Sequence, residues 1–112
     1  MSFFKCLADQ TRLNILTLVD SQGELCVCEL TQALALSQPK ISRHIALLKS
    51  EGLLSHRKVG KWVFYTISTE LPQWKKEVVR QIQLNNLVEI NVAIMRLNEM
   101  SARPNGSRQM CD

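Results

Sequence analysis

Residues 36–54 read LSQPKISRHIALLKSEGLL, and this stretch decides the fold. Ser37 is a residue type that caps helices, Pro39 is tolerated in a first turn, and Gly52 suits a helix end, so a helix is predicted between Ser37 and Gly52. Inside it Ile41, Ile45 and Leu48 fall on one face. Gln38, Lys40, Ser42, Arg43 and His44 occupy its N-terminal half and its non-core face. Just upstream, ELCVCELTQAL predicts a helix from about Cys26 to Leu34, and the connection ALALSQ is short enough for a helix-turn-helix.

Further upstream, Phe3, Phe4 and Leu7 suggest a short first helix, and Asp9 is a candidate N-cap for a second carrying Leu13, Ile15, Leu16, Leu18 and Val19. Gly23 within DSQGE ends that pattern. Downstream of Gly52 the period changes to alternation. LLSHRKV and WVFYTI, on either side of Gly60 and Lys61, predict a β-hairpin with a basic tip. From about Pro72, the apolar positions Trp74, Val78, Ile82, Leu87, Ile90, Ile94 and Leu97 predict one long helix, on the order of 40 Å if it continues to Met100. So small a body does not cover such a helix, so Leu87, Ile90, Ile94 and Leu97 are expected between two subunits. The segment SARPNGSRQMCD is polar and contains Pro and Gly, and is expected to be a disordered tail.

The expectation is therefore a mainly α chain with a β-hairpin (α+β): a winged helix-turn-helix of four helices, hairpin and last helix, forming a homodimer. Residues 1–100 form one domain with its dimerisation helix at about 71–100, and 101–112 form the tail. At 112 residues the chain buries only a modest core, which favours self-association. No apolar run is long enough to cross a bilayer, and MSFFKCLADQ lacks a signal-peptide profile, so a cytoplasmic protein with no membrane association is expected.

Charge points to double-stranded DNA. The net charge of +4 is concentrated: residues 37–61 carry Lys40, Arg43, Lys49, Arg57, Lys58 and Lys61 against Glu51 alone, making that stretch +5 and the remainder −1. Ser37, Gln38, Lys40, Ser42, Arg43 and His44 are the candidates for the major groove. There Gln bonds adenine, Arg or Lys bonds guanine, and Ser or Lys holds phosphates. Arg57, Lys58 and Lys61 on the hairpin are candidates for backbone or minor-groove contact.

Cys26 and Cys28 are the second anomaly. In a reducing compartment, paired thiols point to metal, metalloid or redox chemistry rather than structural disulfides. On an undistorted helix residues i and i+2 point roughly 200° apart, so joint capture of one ion is expected to distort the start of that helix. A helix N-terminus is expected to lower their pKa values, and soft thiolates suit a thiophilic ion.

The segments FKCLADQTRLNIL, ELCVCELTQAL, LSQPKISRHIALLKSEGLL and RKVGKWVFYTI resemble the successive signatures of the ArsR-type metalloregulatory repressors, over roughly residues 3–75. The resemblance implies a homodimer that sits on an inverted-repeat operator and leaves it when trivalent arsenic or antimony binds. It implies Cys26 and Cys28 as ligands and residues 38–44 in the recognition helix, with no organic cofactor. It departs from the best-known arsenic sensors at Thr31, where they carry a third cysteine. Cys6 and Cys111 are then the candidates for a third protein ligand.

The alternatives keep the fold and change the signal. Either the thiols sense oxidation, or they bind cadmium, lead or bismuth. A thiol oxidoreductase is remote, because its C-x-x-C near a βαβ pattern is missing and C-x-C lies in a helical run; the chain is not expected to be an enzyme. Zinc on the last helix is not expected either, since residues 71–100 contain no His or Asp and only Glu77, Glu89 and Glu99 as acids.

Overall fold

The computed structural model describes residues 2–100. Six helices surround a small sheet: α1 (Phe3–Leu7), α2 (Gln10–Gln22), β1 (Leu25–Cys26), α3 (Val27–Leu34), α4 (Gln38–Ser50), β2 (Leu54–Val59), β3 (Trp62–Ile67), α5 (Gln73–Asn85) and α6 (Leu87–Asn98). Asp9 caps α2 as its sequence suggests, its carboxylate accepting the N–H of Arg12 at 3.0 Å. The α2 side chains Ile15, Leu16, Leu18 and Val19 are fully buried and form the centre of one core, joined by Leu30 of α3, Ile41 and Leu48 of α4, Val79 of α5 and Leu97 of α6. Each fully buried aliphatic side chain contributes roughly 1.5–3 kcal/mol of transfer free energy, so α2 is the helix on which the rest is assembled.

The hairpin spans the two alternating segments. Val59 faces Trp62, leaving Gly60 and Lys61 as a two-residue loop, and Gly60 has φ 62°, the positive value that tight hairpin turns demand. The strand order is β1-β3-β2, all antiparallel. β1 is two residues long, too short to leave a period in the sequence. It pairs Leu25 with Tyr65 and Cys26 with Phe64.

The single long last helix of the sequence reading is instead two helices broken at Asn86 (φ −118°, ψ 41°). Asn85 and Asn86 explain the break: their side-chain amides donate to the carbonyls of Gln81 and Ile82 at 2.7 and 2.8 Å, offering the backbone a local alternative to helix. The two halves pack on different helices, α5 resting on α2 and α6 on α3. As a result Ile90 and Leu97, expected between subunits, are buried by their own chain, and Ile94 is half-buried against the same core. The side chain of Leu87 lies outside what is described, as do residues 101–112 and hence Cys111 and the expected disordered tail. The open apolar surface of α6 is Val88, Val92 and Met95. Phe4 and Trp74 form a second exposed group, each meeting the Phe3 ring edge-to-face.

Candidate functional site

Cys26 is not inside α3 but is its N-cap, in extended conformation (φ −92°, ψ 172°), and Cys28 is in the first turn. This one-residue difference changes the geometry. With Cys26 outside the helix, the 200° divergence does not apply, and the two sulfurs lie 3.2 Å apart. Cys28 is disulfide-bonded in this structure, against the expectation of two free thiols. Once it is reduced, two sulfurs so placed can both reach one ion at metal–thiolate bond lengths of about 2.3 Å, with no unwinding needed to bring them together.

The pair is nevertheless not a free site. Cys26 is buried, its backbone N–H donates to the Glu29 carboxylate at 3.0 Å, and its sulfur accepts from the start of α3, completing a reciprocal capping box. The thiol pKa is pushed up to about 11, the opposite of the direction expected for a helix start. Burial is the main cause. The N–H groups of Glu29 and Cys28 oppose it, while the Glu29 carboxylate reinforces it. Glu29 is itself fully buried. Sequence reasoning passed over it, although C-V-C-E carries Glu three residues after the cap, the spacing of a capping box.

Of the third-ligand candidates, Cys6 is a free cysteine fully buried in the core, its pKa raised chiefly by that burial. Thr31, one turn beyond Cys28, donates its hydroxyl to the Val27 carbonyl at 2.7 Å. Among the described residues no group of three or more His, Cys, Asp or Glu is arranged to hold a metal ion.

The short helix α3 and one turn separate this pair from a charged surface. α3 ends at Ala35, whose left-handed backbone (φ 56°, ψ 43°) reverses the chain, and Ser37 in extended conformation starts α4. Ser37, Gln38, Lys40 and Arg43 are exposed along α4, Ser42 is half-buried, and Ile41, Ile45 and Leu48 hold the helix to the core. His44 is half-buried beside Asp9 and Arg12 of the α2 N-terminus; burial is the largest influence on its pKa and lowers it, so it stands partly withdrawn from the surface. Lys58 and Lys61 are exposed around the hairpin tip. Arg57 is different: its guanidinium lies 5.2 Å from the Phe64 ring centroid and makes a bidentate pair with Glu24 at 2.8 and 2.5 Å. Its charge already has a protein partner. An exposed basic N-terminal half of α4 and a basic hairpin tip are thus both presented to solvent, with the buried face of α4 holding it to the core.

Comparison with known proteins gives the same picture. Residues 9–56 match the family described as bacterial regulatory protein, arsR family. The chain is 48% identical over 101 residues to the arsenic resistance transcriptional regulator ArsR1 of Pseudomonas putida, covering 90% of this chain and 79% of that one. It is 54% identical over 79 residues to the arsenical resistance operon repressor of Escherichia coli, covering 70% and 68%. Among solved structures, the AntR antimony-specific transcriptional repressor superposes with a TM-score of 0.60 at 26% identity, covering 83% of this chain and 78% of that chain.

Proposed function

The chain belongs to the arsR family of bacterial regulatory proteins, and from that premise we propose that it is a metalloid-responsive transcriptional repressor of the cytoplasm, released from its operator when trivalent arsenic or antimony binds Cys26 and Cys28. The observation that carries the reading is the 3.2 Å separation of two sulfurs at the start of a helix that packs against the exposed basic helix. In the reduced protein, each thiol displaces one hydroxyl of arsenous acid. The thiol proton leaves with that hydroxyl as water, an As–S bond replaces an As–O bond, and arsenic stays trivalent. A protonated thiol is no obstacle to this exchange, which suits the raised pKa of Cys26.

Residues 1–100 act as one DNA-binding domain, and two copies read an inverted repeat whose half-sites are about 34 Å apart, one helical turn. Gln38, Lys40 and Arg43 read the major groove, Ser37 and Ser42 hold phosphates, and Lys58 and Lys61 hold the backbone beside it. The self-association surface is the exposed apolar stripe of α6 together with Phe4 and Trp74. Ligation engages a sulfur that caps α3 and sits in β1, so the helix start and the sheet are both placed to feel it.

The test is release of a labelled operator fragment titrated with arsenite, antimonite, cadmium, zinc and peroxide. Release by the two metalloids and loss of that release in Cys26→Ser or Cys28→Ser, with operator binding retained, is the expected outcome. Release of the double serine variant by micromolar arsenite would defeat the reading; release by cadmium or peroxide alone would replace the metalloid by another thiol-directed signal.

A further inference from the structure

A closed ring of contacts joins the sulfur pair to the hairpin. Cys26 of β1 is opposite Phe64 of β3, and Phe64 is opposite Arg57 of β2, so the three residues form one transverse row across the sheet. Residues paired across strands share a face, so their side chains stand on the same side. Arg57 then reaches back over the Phe64 ring and closes on Glu24, two residues before Cys26. Glu24 and Arg57 lie 33 positions apart in sequence, and Glu24 is the more covered of the two (22% against 56% side-chain exposure). An ion pair this open to water adds little to stability, but a bidentate guanidinium–carboxylate pair is demanding in direction. What it fixes is the position of β2 relative to β1.

We propose that Glu24 and Arg57 are positioning residues that carry the state of the Cys26–Cys28 pair to the hairpin, so that ligand capture displaces the basic tip as well as the recognition helix. The inference rests on the proposed function, since it needs a ligand at the two sulfurs. Cys26 is buried and held at once by a strand partner and a capping box; a ligand reaching its sulfur must move it relative to β3. Because β1 is only two residues long, it has no further ladder to resist that movement. Glu24 moves with Cys26, the bidentate geometry opens, and Arg57 loses the anchor that holds β2. Lys58 follows Arg57 directly, and Lys61 is in the two-residue turn that ends the strand, so the tip's charges shift with it. The recognition helix is reached separately, through α3.

The experiment is Glu24→Gln in the full chain, a change that removes the charge and keeps the shape at a residue not assigned to DNA or ligand. Three quantities are read on the same samples: arsenite binding from the ultraviolet absorption of the arsenic–thiolate bonds, operator affinity by fluorescence anisotropy, and the ratio of operator affinities without and with arsenite. Arsenite binding and operator affinity should stay within about twofold of wild type, while that ratio, whose usual range for coupled sites is about 5–150-fold, should fall at least about fivefold. Glu24→Asp, which keeps the charge, should recover part of the ratio. A DNA-free readout uses Trp62, at the start of β3 beside the tip, in a Trp74→Phe background: its emission should respond to arsenite when Glu24 is present and should not respond in E24Q. Full release and an undiminished Trp62 response in E24Q that has bound arsenite would overturn the proposal. If wild type itself shows no arsenic–thiolate absorption, the proposed function fails first, and the two failures are thereby told apart.

Discussion

The carboxylate of Glu29, fully buried, accepts the backbone N–H of Cys26 at 3.0 Å. An acid inside the core of a regulatory domain is thus part of the scaffold of the sulfur pair. Glu29→Ala would leave that N–H without its acceptor at a cost of about 1–3 kcal/mol, whereas Glu29→Gln keeps an oxygen in place and should cost less. Urea unfolding midpoints measure both. Equal losses for the two variants would show that the hydrogen bond is not what Glu29 contributes.

The raised pKa of Cys26 has a definite sign in solution. Folding favours the neutral thiol, so the contribution of Cys26 to stability is fully present below its ordinary value of 9.0 and is lost as pH rises through about 11. Unfolding midpoints of wild type should fall between pH 9 and pH 11 by more than those of Cys26→Ser. In the native protein, alkylation of Cys26 by iodoacetamide should keep accelerating past pH 9. A plateau near pH 8 would contradict the burial argument.

Ala35 sits in a left-handed conformation, φ 56°, where a Cβ is unfavourable by roughly 1–2 kcal/mol. Glycine there removes that strain and adds about 0.4–1 kcal/mol of unfolded-chain entropy to be lost on folding. The strain is the larger quantity, so Ala35→Gly should stabilise the protein by up to about 1 kcal/mol. Thermal unfolding decides it, and a lower midpoint would mean the alanine methyl contributes contacts that outweigh its strain.

Burial separates two apolar positions on α6. Ile90 is 5% exposed and Val88 79%. Ile90→Asp should cost about 3 kcal/mol or more by placing a charge in the protomer's own core, lowering the thermal midpoint sharply. Val88→Asp should leave the midpoint nearly unchanged and weaken self-association in sedimentation. The reverse pattern would move the interface to the buried face.

Much of this was legible in the residues. Asp9, Ser37 and Gly60 fall at real element boundaries, and the hairpin's alternation located both strands within a residue. The exposed row on α4 was legible too, because a buried Ile41–Ile45–Leu48 face leaves the other face to solvent. The break at Asn86 was not, since the apolar spacing runs through it and only the side-chain-to-backbone bonds of Asn85 and Asn86 interrupt the helix. At the site, Cys26 and Cys28 were legible as a pair, but their separation was not. It depends on whether Cys26 is the first residue of a helix or the last before it, a distinction of one residue that places the sulfurs together or on opposite sides.

Cys26 holds two offices in the fold, strand residue and helix cap, and a third, ligand, in the proposed function. Serine can fill the first two, since any residue supplies the strand's backbone and a hydroxyl caps a helix well. Only the third demands sulfur. Deafness to the signal is therefore one atom away from the native protein and spares the fold, so variants selected for loss of induction should arise readily at this codon, and they should silence their operon permanently instead of freeing it.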